Sequence, residues 1–170
     1  MRLSQIVLMT PTLEPREINW VTSYQWMKMK NNYHIAIVIS EFNKPITDQL
    51  LDGATRAFNS QSDGELTVVT VPGAFEIPAT AKKIAQRLKP DAVVTLGAVI
   101  RGETKHFDFI SHECTRAIQN LTLEFDIPII FGVLTTENAE QAFERSGKKD
   151  KGFEVMMSAF KMIKTFKDIK

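Results

Sequence analysis

The run Asp91-Ala92-Val93-Val94-Thr95-Leu96 limits the architecture more than any other stretch of the chain. It is apolar and rich in β-branched residues. It lacks the alternation of a half-solvated strand, so it reads as a strand buried on both faces. Such a strand belongs inside a parallel sheet with helices on either side. The strand extends from Ala92 to Ile100 and stops at Arg101, in a polar turn that contains Gly102. From Phe107 the apolar spacing becomes helical, so the order is strand, glycine turn, helix.

The rest of the chain repeats that alternation. Tyr33 to Ser40, Leu66 to Val71 and Ile127 to Leu134 read as further strands. Ile46, Leu50, Leu51, Ala54, Ala57 and Phe58 have helical spacing, as do Ile77, Ala81, Ile84, Ala85 and Leu88 ahead of Pro90. Ile110, Cys114, Ala117, Leu121 and Phe125 predict one helix face. Asn138 to Arg145 predicts a short helix, and Phe153, Met156, Phe160 and Ile163 a last amphipathic one. The pattern is that of an α/β fold with a mostly parallel four-stranded sheet. Residues 1–32 carry Pro11, Pro15, Trp20 and Trp26 without periodicity and read as an N-terminal extension; residues 33–170 read as a single domain.

Charge and composition narrow the function classes. The 21 Lys and Arg are interspersed with 20 Asp and Glu, for a net charge of +1. That is the footprint of neither a nucleic-acid binder nor a membrane-surface protein. No apolar run approaches the ~20 residues of a membrane span. Met1 to Pro15 lacks the basic segment and apolar core of a secretory signal. The single cysteine, Cys114, cannot form an internal disulfide, which fits a reducing compartment, and the cytoplasm is the expected location. His112, Glu113 and Cys114 are consecutive on a predicted helix and point in different directions, so no metal site is expected there. Cys114 reads as core, and His34 and His112 as structural.

Three predicted strands end in residues with chemistry. The first ends in Ser40-Glu41-Phe42-Asn43, the second in Val71-Pro72-Gly73-Ala74-Phe75-Glu76, the third in the turn leading to His106. In a parallel sheet these ends share one edge, the edge at which ligands bind. Free backbone N–H groups and the positive end of a helix dipole favour an anion there. A histidine at the helix start is a proton carrier, since imidazole ordinarily titrates near 6.5. Phe42 and Phe75 can wall a flat ring, Glu76 can accept hydrogen bonds from hydroxyls or amines, and Gly73 permits close backbone approach. Gly97 and Gly102 have the glycine spacing of a nucleotide P-loop, but Glu103 stands where that loop needs lysine and would repel a nucleotide phosphate. Taken singly, each residue has a plainer reading: a histidine near a helix start caps, phenylalanines pack, and Arg145 is a solvated charge.

The motifs in order change those weights. Over about Tyr33 to Lys170 the chain resembles the 6,7-dimethyl-8-ribityllumazine synthase family. The resemblance rests on Phe42-Asn43 with Ile46-Thr47, Leu50-Leu51-Asp52-Gly53-Ala54, Val71 to Pro78, and Gly97 to Phe107. It continues in Phe131 to Thr136, Glu140-Gln141-Ala142, Glu144-Arg145 and Lys151-Gly152. It implies a flavodoxin-like three-layer sandwich and a transferase that acts at the penultimate step of riboflavin biosynthesis. The implied reaction condenses 5-amino-6-(D-ribitylamino)uracil with 3,4-dihydroxy-2-butanone 4-phosphate and releases phosphate, without metal or organic cofactor. It further implies a homo-oligomer, a pentamer or pentamer-based assembly with active sites between adjacent subunits, and riboflavin synthase as a partner.

Carried over by motif, Phe42 stacks on the pyrimidine, and Ala74, Phe75 and Glu76 hold the ribityl chain and the reacting end of the uracil. Ala98, Val99 and Ile100 offer backbone hydrogen bonds to the uracil. Glu103 and Thr104 bind phosphate through backbone N–H groups, and His106 transfers protons. Phe131 and Arg145 come from the adjacent subunit, with Arg145 clamping the phosphate. Ser146 to Asp150 is shorter than the corresponding glycine-containing stretch of the family, which leaves open whether Lys148, Lys149 or Lys151 approaches substrate. The rival readings are an archaeal-type riboflavin synthase and a non-catalytic flavin-binding or shell-forming protein of the same fold. His106, Arg145 and Glu76 together argue against the second rival, since binding alone needs no proton shuttle.

Overall fold

The computed structural model describes residues 32–169. The extension expected over 1–32, with both tryptophans, lies outside them except for Asn32. The elements run β1 (His34–Ser40), α1 (Lys44–Gln61), β2 (Glu65–Val71), α2 (Ile77–Arg87), β3 (Ala92–Ile100), α3 (His106–Glu124), β4 (Ile129–Thr136), α4 (Ala139–Ser146) and α5 (Lys151–Asp168). The four strands form one sheet in the order β2-β1-β3-β4, and each pairing is parallel. The order reverses direction at β1, so the carboxyl ends of β1 and β3 flank the crevice typical of doubly wound sheets.

Burial explains why these segments became strands. Along β1, Ile35, Ile37 and Ile39 face α1 and α5, where they pack with Leu50, Ala54, Met156 and Phe160. Ala36 and Val38 point the other way, into a second cluster with Ile77, Ala81, Cys114 and Ile118 of α2 and α3. β3 does the same, with Val94 and Leu96 on the first face and Val93 on the second. Burying one such aliphatic side chain stabilises by roughly 1.5–3 kcal/mol, so a run apolar on both faces is most stable between two helical layers. The result is the expected α/β three-layer sandwich. A small third cluster of Ile46, Ala98 and Ala142 ties α1, the end of β3 and α4 together. Helix starts follow local rules: Pro45 and Pro78 sit in the first turns of α1 and α2, and the Asn138 side chain caps α4 by accepting from Gln141 N–H at 2.9 Å. Among the described residues, no helix is long and apolar enough to cross a membrane.

Two sequence expectations shift. β4 begins at Ile129, because Pro128 has no N–H for the ladder and only its carbonyl takes part, accepting from Val93 N–H at 2.9 Å. The buried face of α3 is Ser111, Cys114, Ile118 and Leu121, while Ile110, Ala117 and Phe125 are half-buried at its margin. Ser111 tolerates the core because its hydroxyl donates to Phe107 O at 2.7 Å within the same helix. Gly97 lies inside β3, as the apolar run predicts. A Cβ there would meet Ile77 Cδ1 and Ser40 Oγ, each at 3.1 Å, so close packing explains this glycine without a phosphate.

Candidate active site

A cavity of about 730 Å³ opens at the carboxyl ends of β1, β2 and β3. Of the residues singled out in the sequence, it brings together Phe42, Ala74, Phe75, Glu76, Ala98, Val99, Ile100, Thr104 and His106. Glu103, Phe131 and Arg145 are not among its walls. A second hollow of about 590 Å³ lies at the opposite edge, beside Asp91, Asp126 and Phe166, away from every predicted site residue.

Each wall has a local cause. Beyond β1, Glu41 N–H donates to Val71 O at 2.8 Å and Phe42 N–H to Pro72 O at 3.1 Å, which fastens the loop after β1 to the loop after β2. Asn43 then takes a left-handed conformation, φ 61°, and its side-chain Nδ2 donates to Ala98 O at 2.8 Å. This bridge sets the spacing between the Phe42 wall and the end of β3. In the sequence Asn43 stands in a motif without an evident role of its own; an asparagine between a strand end and a proline-started helix is the available signal. Phe42 and Phe75 are 70% and 60% exposed, large apolar surfaces that a flat ligand or a partner would cover.

After β2, a single 3-10 turn over Ala74–Glu76 leads into α2, with Glu76 N–H donating to Gly73 O at 3.3 Å. Ala74 is buried, and the Glu76 carboxylate stands at the rim. The backbone of Gly73 is ordinary extended chain; a Cβ there would sit 3.1 Å from Glu76 Oε2. Its glycine therefore leaves room for the carboxylate.

The third wall is the turn Arg101 to Lys105, exposed throughout. Gly102 and Thr104 line the cavity, and Thr104 Oγ1 accepts from His106 N–H at 3.4 Å. Among the described residues, none accepts from the backbone N–H of Glu103 or Thr104. The 19-residue helix α3 starts at His106, so its positive end points at the same place. His106 is exposed on the cavity wall as the first residue of that helix. Arg101 turns away: Nε donates to Glu137 Oε2 at 2.7 Å, Nη1 lies 3.0 Å from Asp108 Oδ1, and the guanidinium sits 4.1 Å from the centre of the Phe107 ring. Hydrogen bonding to Glu137, then to Asp108, holds that guanidinium above its ordinary range.

The remaining predicted residues lie on the β4 side. Phe131 is 40% exposed in β4, and Arg145 sits in the last turn of α4, where Nη1 donates to Gln141 O at 3.0 Å. Of the lysines left open, Lys149 pairs with Glu144 at 3.2 Å and Lys151 with Glu154 at 2.6 Å, whereas Lys148 has no ion-pair partner among the described residues. His34 hydrogen-bonds Thr67 Oγ1 at 2.9 Å, and Cys114 is buried, both as structural residues. Among the described residues, no three of His, Cys, Asp and Glu gather to hold a metal. The arrangement offers an aromatic slot, a carboxylate acceptor, an anion-favouring turn and a proton carrier around one space.

Known proteins are similar to this chain over most of its length. Residues 32–167 match the family described as 6,7-dimethyl-8-ribityllumazine synthase. The 6,7-dimethyl-8-ribityllumazine synthase of Nautilia profundicola (strain ATCC BAA-1463 / DSM 18972 / AmH) is 46% identical over 147 residues, which cover 84% of this chain and 96% of that protein.

Proposed function

The chain belongs to the 6,7-dimethyl-8-ribityllumazine synthase family, and we infer that it condenses 5-amino-6-(D-ribitylamino)uracil with 3,4-dihydroxy-2-butanone 4-phosphate, releasing phosphate, in riboflavin biosynthesis. One observation carries the assignment of roles. His106 shares a cavity with Phe42, Phe75 and Glu76 and stands beside a turn in which the N–H groups of Glu103 and Thr104 have no acceptor among the described residues. Phe42 stacks on the pyrimidine. Ala74, Phe75 and Glu76 hold the ribityl chain and the reacting end of the uracil, and Ala98, Val99 and Ile100 align its edge through their backbone. Glu103 and Thr104 receive the phosphate on their N–H groups. Because the Glu103 side chain is not part of the cavity wall, its charge need not oppose that phosphate.

The reaction suits these groups. The 5-amino group attacks the ketone and forms an imine with loss of water. Phosphate is eliminated and the side chain tautomerises. The 6-ribitylamino nitrogen then closes the ring, again with loss of water. Every step moves protons, and none needs a nucleophile from the protein. Holding two substrates side by side supplies much of the rate. General acid–base help from His106 adds typically 10²–10⁴-fold.

The same reading extends to assembly and location. The site is completed by Phe131 and Arg145 of an adjacent copy in a homo-oligomer built on pentamers, with riboflavin synthase taking the product, in the cytoplasm. Residues 33–170 act as one domain behind the extension 1–32. The exposure of Phe42, Phe75, Phe109, Phe131 and Phe143 supports a covered surface. The test mixes the protein with both substrates and follows lumazine absorbance. His106→Ala should lower kcat by roughly one to three decades with a smaller change in KM. An inactive wild type would remove the function, and an unchanged kcat in a folded, assembled variant would remove the role of His106.

A further inference from the structure

We propose that Arg101 is a positioning residue that holds the phosphate-receiving turn in shape from outside the cavity. This rests on the reading of the site given above. Ile100 and Gly102 line the cavity, and Arg101 between them does not. The turn has little else to hold it. Its residues are exposed, and a Cβ on Gly102 would meet nothing within 4 Å. Its backbone is tied at Arg101, whose N–H donates to Thr136 O at 2.9 Å. N–H groups that receive an anion must already point at it, and an unpacked turn does not keep them there unaided.

The Arg101 side chain supplies the missing fixture. Nε binds Glu137 at 2.7 Å, just past the end of β4, and Nη1 reaches Asp108 at 3.0 Å in the first turn of α3. The guanidinium also covers the outer face of Phe107, a cavity wall, at 4.1 Å. One planar group thus ties the turn to the neighbouring strand, to the helix that presents His106 and to an aromatic wall. A lysine cannot reproduce that fork and stack. Two carboxylates already neutralise the guanidinium, so Arg101 is not itself the phosphate ligand. The fixture continues outward: Glu137 N–H donates to Gln141 Oε1 at 3.1 Å, and Gln141 O accepts from Arg145.

The test measures inorganic phosphate and the ribityl-pyrimidine substrate separately by calorimetry on the assembled protein, with KM values alongside. Three exposed contacts acting together should make Arg101→Ala roughly five- to thirtyfold weaker for phosphate, and KM for the phosphorylated ketone should rise in step. Pyrimidine affinity should change less than about twofold, and Arg101→Lys should recover only part of the loss. Glu137→Gln and Asp108→Asn decide the cause and serve if Arg101→Ala does not fold. Each removes a negative charge near the anion, so charge alone would tighten phosphate binding, whereas loss of the fixture weakens it. Normal or tighter phosphate binding in both of those variants, or equal losses for both ligands in Arg101→Ala, would overturn the proposal. A wild type that binds neither ligand overturns the reading of the site and this proposal with it. A wild type that binds both, beside variants with normal phosphate binding, overturns this proposal alone.

Discussion

Replacing Gly152 by alanine should destabilise the fold by more than the change of one hydrogen to a methyl suggests. Gly152 opens α5 where that helix crosses α1. A Cβ on it would come within 2.7 Å of the Leu50 carbonyl carbon and 2.9 Å of Leu50 Cα, against the ~3.5 Å of a comfortable carbon contact. These are backbone atoms inside a helix and cannot swing aside, and the Leu50 carbonyl oxygen is nearer still, so α5 must move off α1 by at least roughly 0.7 Å. A gap of that size forfeits at least a quarter of each contact along the seam. Leu50 is fully buried there, beside Ala54, Met156 and Phe160. With about 40–60 contacts of 0.1–0.2 kcal/mol each, Leu50 alone loses about 1–3 kcal/mol. Its seam neighbours add to that, and the better helix propensity of alanine returns up to about 1 kcal/mol. A net loss of about 2 kcal/mol is expected. Urea unfolding followed by far-UV circular dichroism, at matched protein concentrations, should show the midpoint falling by about 1 M with an unchanged slope. A midpoint at or above that of the wild type would refute the claim that contact with the Leu50 backbone is what requires glycine here.

Other expectations follow from the same structure. Burial pushes the Cys114 thiol up to about 11, so iodoacetamide at pH 8 should spare the folded protein and label it in urea. The unfolded thiol releases its proton near 8.5 and the folded one does not, so this group leaves stability unchanged below about pH 8 and lowers it as pH rises from about 9 to 11; a flat stability profile over that window would contradict the assignment. Arg145→Ala should raise KM for the phosphorylated ketone and weaken inorganic phosphate binding, with little change for the pyrimidine; equal losses for both would make Arg145 structural. Mixing the impaired His106→Ala and Arg145→Ala subunits should raise activity above that of either alone, because some interfaces then pair an intact His106 with an intact Arg145. No recovery in rings proven by mass spectrometry to be mixed would rule out a shared site.

What could be read from sequence depended on whether the cause was local. β3 was legible to the residue, because a strand covered on both faces needs an unbroken apolar run and Ala92 to Ile100 is one. β4 was displaced because Ile127 is apolar but precedes Pro128, which cannot join the ladder. The α3 stripe was recognised but rotated: Ile110 and Phe125 suit a core, and Ser111 fills it once its hydroxyl is satisfied within the helix. The site residues that follow strand ends were legible together, since a parallel sheet delivers its carboxyl ends to one edge. The Asn43 bridge and the Arg101 fixture were not. Their partners lie 55 and 36 residues away, and no spacing rule links an asparagine to a carbonyl or an arginine to a glutamate across a sheet.

The cavity is furnished for one substrate better than for the other. Two phenylalanines and a carboxylate suit a ribityl-pyrimidine. A phosphate monoester carries about −1.5 to −2 charges, and a helix end with a few N–H groups offers only about half a positive charge. Among the residues that line the cavity there is no lysine or arginine. Arg101, adjacent to two wall residues, faces Glu137 and Asp108. Some cation must then come from beyond the cavity wall. Arg145 spends Nη1 on Gln141 O within its own chain. A guanidinium has five N–H donors, so the others can take a phosphate in the fork geometry that suits it. The same external approach would bring an aromatic cover to Phe42 and Phe75, whose exposure a single chain leaves unexplained. In the proposed assembly, a second copy laid across the mouth would supply both the missing charge and the missing cover. Assembly of that kind would complete the active site, which is what the mixed-subunit experiment tests.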